Sequence, residues 1–124
     1  MNTLDILDRL IAFNTVSANP NVPLITYLQD LLSKAGVTSQ IIPDATGKKA
    51  NLYATIGPTD VPGVMLSGHT DVVPVEGQDW TKPPFQMTAS DGKVFGRGTA
   101  DMKGFVACAM TAALKAAKME LKTR

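Results

Sequence analysis

The chain has 124 residues, with 12 Lys+Arg against 11 Asp+Glu, 44% hydrophobic and 19% charged residues, one His and one Cys. That is enough for one globular domain, burying roughly two-thirds of the surface its unfolded form exposes, and a net charge of +1 removes the bulk electrostatic case for nucleic acid or an anionic membrane surface. With Cys108 as its lone thiol the chain forms no intramolecular disulfide, and with His69 as its lone histidine it cannot build a metal site from several histidines of its own. The expected partner is a small molecule or another protein, and the expected compartment is the cytoplasm. Met1 to Leu10 carries Asp5, Asp8 and Arg9 where an export signal needs an unbroken apolar stretch. The longest apolar run, Phe105 to Leu114, is shorter than the roughly 20 residues of a bilayer-spanning helix.

Leu4, Leu7 and Ile11 recur at helical spacing behind Thr3, which is expected to cap a first amphipathic helix. After the breakers Asn19, Pro20, Asn21 and Pro23, a second helix shows one apolar face through Leu24, Leu28, Leu31 and Ala35, and Gly36 stops it. Val37 to Ile42 reads as a short strand. Asn51 to Ile56 alternates Leu52, Ala54 and Ile56 with polar neighbours, as a strand buried on one face does, and Pro43 to Lys49 is the loop between the two. Val64, Met65 and Leu66 form an unbroken apolar run after Pro62-Gly63, which suits a central strand covered on both faces.

From Val73 to Phe85 the prolines and Gly77 exclude a regular element, and Trp80 and Phe85 are expected to pin an ordered loop, braced by Arg97. Gln86 to Phe95 reads as a hairpin turning at Asp91-Gly92. Past Gly96, Gly98 and Gly104 an alanine-rich helix begins, with Phe105, Cys108 and Ala112 on one face and Cys108 expected in the core. The mixed order of helices and strands indicates a layered α/β domain.

Two segments can carry chemistry. In Ser67-Gly68-His69-Thr70-Asp71, directly after the apolar run, the period of 2 in a strand puts His69 and Asp71 on one side. Asp71 can then accept the proton of one imidazole nitrogen and leave the other free for a metal. A core histidine bonded to a neighbouring acid satisfies the same spacing. In Gly96-Arg97-Gly98-Thr99-Ala100-Asp101-Met102-Lys103-Gly104, Asp101 stands where a helix cap belongs, yet its two oxygens also suit a bridge between metal ions. The glycines do not read as a phosphate cradle, because no Lys-Ser or Lys-Thr follows in the required spacing.

Together with the Trp80 to Phe85 segment and Asp91 to Gly98, these strings resemble the dinuclear-zinc amidohydrolase and peptidase family over almost the whole chain. The resemblance implies the N-terminal portion of a layered, mixed-sheet, zinc-peptidase-like catalytic domain. It implies that His69 and Asp101 are metal ligands, Asp101 bridging two Zn2+ ions (or Co2+), and that Asp71 orients His69. It also implies a cis peptide at Asp101-Met102. The activity implied is hydrolysis of an N-acyl amino acid: N-acetylornithine in arginine biosynthesis first, N-succinyl-diaminopimelate in lysine biosynthesis as the alternative. A non-catalytic module that binds a metal or a partner is the reading from a different class. The family's glutamate base, its remaining ligands and the lid domain through which many members form homodimers are expected outside residues 1–124, so residues 1–124 by themselves are expected to be inactive.

Overall fold

A computed structural model describes residues 1–124. Helix α1 (Thr3–Ala12) is started by Asn2, not by the expected Thr3: the Asn2 side chain accepts from the Asp5 N–H and the Asp5 carboxylate accepts from the Asn2 N–H. Thr3, one place into the helix, donates its hydroxyl to Thr111 instead. Helix α2 (Val22–Lys34) ends as its sequence predicts, with Gly36 at φ +77° just beyond the Ala35 cap. Strands β1 (Ser39–Pro43) and β2 (Ala50–Ala54) pair antiparallel, from Ser39 opposite Ala54 to Pro43 opposite Ala50. Along β2, Ala50, Leu52 and Ala54 are turned inward, and Asn51 and Tyr53 outward. Strands β3 (Thr88–Ser90) and β4 (Lys93–Phe95) form the hairpin, and Asp91 at φ 52° and Gly92 at φ 71° give its turn the two left-handed residues that matches strand twist. Helix α3 (Lys103–Ala116) completes the order.

The core is one contiguous cluster of 14 buried residues, drawn from Ile6, Leu7, Leu10 and Ile11 of α1, five side chains of α2, Val37, Ala50 and three side chains of α3. Each fully buried Leu or Ile contributes roughly 1.5–3 kcal/mol by leaving water. Helix α3 packs on α1, and α2 lies against both strands of the first sheet.

Two further expectations are overturned. Val64, Met65 and Leu66 are not a covered central strand: they are 81%, 74% and 54% exposed and pair with no strand. An apolar run of this length cannot make a strand without neighbours to accept its backbone groups, and its one backbone partner is Arg124, whose carbonyl accepts from the Val64 N–H at 3.0 Å. Cys108 is exposed. The stripe that α3 presents to α1 runs through Lys103, Val106, Ala107 and Met110, which turns Phe105, Cys108 and Ala112 away from the core. The β-structure is confined to two small sheets and one parallel bridge between Val16 and Val72, so the domain is α/β with little sheet of its own.

Candidate metal centre

Residues 67–72 run past the N-terminal end of α3 close enough that a Cβ on Gly68 would lie 3.2 Å from Phe105 and Val106 and 3.3 Å from the Met102 methyl. This approach places the His69 N–H 3.3 Å from the Met102 sulfur and lays the imidazole across Asp101. His69 Nε2 is 3.0 Å from Asp101 Oδ1. On the other side of the ring, Nδ1 is 3.0 Å from the Asp71 carbonyl and 3.1 Å from its Oδ1. The three side chains singled out in the sequence therefore converge, and they remain open to solvent, 48% exposed for His69 and 80% for Asp101.

Asp101 does not cap α3. Met102 holds the cap position and no side chain bonds there, so the Asp101 carboxylate is committed to the site. The Asp101-Met102 peptide is cis. The loop before it is tightly made: Gly98 has φ +94°, and a Cβ on Gly104 would stand 2.2 Å from the Thr99 carbonyl oxygen. Asp71 is held by Ser17, whose hydroxyl donates to its Oδ2 at 2.5 Å. That bond, followed by the nearby imidazole, keeps the Asp71 carboxyl below its ordinary range against the opposing effect of burial.

The ring has acceptors at both nitrogens, and a neutral imidazole carries one proton. With that proton on Nδ1, the lone pair of Nε2 faces a carboxylate oxygen 3.0 Å away, a repulsive contact unless a positive charge lies between them. Partial burial lowers the His69 pKa, but hydrogen bonds to the Asp71 carbonyl and the Asp101 carboxylate, with both negative charges, raise it on balance. A metal ion satisfies the same demand: two donors each about 2.0–2.2 Å from one zinc lie roughly 3–3.5 Å apart. The donor set thus fits a cation, with the second ring nitrogen already fixed by a carboxylate as ligating histidines require.

Two contributors were not singled out in the sequence. Ser17 carries no signal, since its bond to Asp71 spans 54 positions. Lys103 does carry one: it occupies the first place of the buried stripe 103, 106, 107 and 110, where a lysine stands out. Its side chain is fully buried, and Nζ donates to the carbonyls of Leu10 at 2.8 Å and Phe13 at 2.7 Å, the open C-terminal end of α1. Burial lowers its pKa to about 8, which leaves the ammonium charged at neutral pH. Arg97 braces the loop as expected, with its guanidinium 4.8 Å from the centre of the Trp80 ring and bonded to Gln78.

Residues 65–124 match the model of peptidase family M20/M25/M40. The chain is 41% identical over 111 residues to acetylornithine deacetylase of Shigella sonnei (strain Ss046), covering 84% of this chain and 29% of that protein. To acetylornithine deacetylase of Myxococcus xanthus it is 40% identical over 119 residues, or 92% and 31%. A Staphylococcus epidermidis protein named "Probable succinyl-diaminopimelate desuccinylase" is 48% identical over 84 residues, 67% of this chain and 20% of its own length. The crystal structure of human carnosine dipeptidase 1 superposes with a TM-score of 0.74 at 25% identity, over 98% of this chain and 30% of that one. The chain spans at most about a third of the length of each of these proteins.

Proposed function

We propose that the chain is part of a member of peptidase family M20/M25/M40, whose model residues 65–124 match, and that it supplies one part of a metal-dependent centre that hydrolyses the amide of an N-acyl amino acid. The observation that carries the reading is the 3.0 Å approach of His69 Nε2 to Asp101 Oδ1 while Asp71 holds Nδ1. Family M20 generally binds zinc or similar metals. In this reading His69 and Asp101 are the side chains that would hold the metal. When bound, such ions supply Lewis acidity toward the amide oxygen and lower the pKa of water.

The chain's own residues prepare that chemistry. Asp71 keeps a proton on Nδ1 of His69, which fixes the tautomer and leaves the Nε2 lone pair pointed at the site. The Ser17 hydroxyl occupies Asp71 Oδ2, so only Oδ1 is directed at the ring. Acetylornithine is the substrate favoured by two deacetylases that match 84% and 92% of the chain. N-succinyl-diaminopimelate is the second reading, favoured by the 48% identity to the desuccinylase over 84 residues.

The test assays the gene's entire product, loaded with zinc or cobalt, on both substrates. N-acetylornithine should be cleaved with the higher kcat/KM, and H69A and D101A should abolish turnover of both. Preferred cleavage of N-succinyl-diaminopimelate would decide for the second reading. Undiminished turnover in D101A would remove Asp101 from the centre.

A further inference from the structure

We propose that Ser17 and Lys103 are positioning residues which, through the segment Phe13–Ser17 between them, set the separation of His69 and Asp101. This rests on the metal-centre reading above and adds to it the elements that hold the centre in place. His69 and Asp101 come from two segments outside regular structure, and the imidazole is about half exposed and the Asp101 carboxylate mostly so, so close packing alone does not fix their spacing. Something else must, because a metal site tolerates little error in donor placement.

The segment that leaves α1 meets both halves. On one side Thr15, itself buried, donates its hydroxyl to the Thr70 carbonyl at 2.6 Å and accepts the Val72 N–H at 3.0 Å. The Ser17 N–H donates to the Val72 carbonyl at 3.2 Å, and the Ser17 hydroxyl continues to Asp71 Oδ2. The backbone on either side of Asp71 and its carboxylate are thus fixed from one strip of chain. Lys49 secures that strip from outside by donating to the Ser17 carbonyl.

On the other side stands Lys103, two residues beyond Asp101. Its ammonium reaches the carbonyl of Phe13, where the same strip begins, and that of Leu10, while its own N–H donates to the Gly98 carbonyl at 2.8 Å. Its stem passes Gly98, where a Cβ would lie 3.3 Å from Lys103 Cδ and 2.8 Å from Val72 Cγ1. The contacts close a circuit from Asp101 through Lys103, Phe13, Ser17 and Asp71 to His69. A charged donor between two carbonyls at a helix end is a strong, directional fixture, and a neutral, unbranched apolar side chain such as Met would fill most of the space without it.

Zn2+ titration followed by the imidazole 15N resonances of His69, the chain's lone histidine, tests this in the wild type, S17A, S17T, K103M and H69A. Loss of a group that orients a ligand lowers metal affinity by about 10–100-fold, and that loss is expected in S17A and in K103M, with helical circular dichroism retained. S17T keeps the hydroxyl and should restore the affinity. In metal-free S17A the Nδ1 proton should also exchange faster with water, a change that a purely structural role for Ser17 would not produce. If K103M does not fold, K103Q replaces it: its shorter amide cannot span both carbonyls, and the same loss is expected. Wild-type affinity in S17A and in the folded Lys103 variant, with binding abolished in H69A, would overturn the positioning roles and leave the ligands standing. Unchanged binding in H69A would overturn the metal reading itself.

Discussion

His69 and Asp71 are two apart, and their meeting follows from any locally extended backbone, even though residues 64–71 form no strand. Asp101 suits a cap and a ligand alike in the sequence because both uses place an acid before a helix; in the fold it makes no cap bond and its Oδ1 lies 3.0 Å from His69 Nε2. Cys108 is exposed against expectation for a related reason: an alanine-rich helix offers several apolar faces, and the one that turns inward is chosen by its partner α1. The glycines show what the spacing tolerates. Gly104 faces the Thr99 carbonyl so closely that an added Cβ at 2.2 Å has no flexible neighbour to displace. G104A is therefore expected to cost about 1–3 kcal/mol as an overpacking substitution and to displace the Asp101 loop. Chemical denaturation of the variant reads the first effect and the imidazole spectrum of His69 the second; wild-type stability in G104A would contradict the geometry given for this turn.

Among the elements, those with local start and stop signals are the legible ones. Gly36 ends α2, Asp91-Gly92 turns the hairpin, and the alternation of β2 emerges with Leu52 and Ala54 inward. The cap of α1 shifted from Thr3 to Asn2 because Asn2 and Asp5 complete a reciprocal pair that Thr3 and Ile6 cannot. The loop between β1 and β2 is organised by Asp44, whose carboxylate accepts from the Thr46 hydroxyl at 2.8 Å and from the N–H groups of Thr46 and Lys49. The Thr46 hydroxyl first, and these backbone donors with it, hold the Asp44 carboxyl below its ordinary pKa. A carboxyl whose folded pKa is depressed stabilises the fold above its unfolded value, and that contribution is lost as pH falls through the folded one. Titration of the Asp44 carboxyl carbon by NMR should show a midpoint below 3.8, and T46V should move it upward. An unchanged midpoint in T46V would assign the shift to another cause.

For the molecule as a whole, the α/β class was legible from the order of elements, but the sheet was not. Val64 to Leu66 has the composition of a strand buried on both faces, and composition reports what a segment can bury, not which neighbours are present to bury it. Residues 1–124 span about 30% of the deacetylases they match, and a run so apolar and so exposed is a surface that further chain or another molecule would cover. The same proportion bears on the site. In the proposed centre these residues would bring two side chains to a metal where catalytic zinc ordinarily has three protein ligands, so the 124-residue chain by itself should bind zinc weakly. In the proposed centre His69 uses Nε2 toward a cation shared with Asp101 while Asp71 keeps the proton on Nδ1. Because the chain has one histidine, a Zn2+ titration of its 15N-labelled imidazole reads this without assignment. Nε2 alone is expected to move to a metal-bound shift while Nδ1 stays protonated, and D101A is expected to remove the response. Metal binding at Nδ1, or an Nε2 response that D101A leaves unchanged, would contradict it.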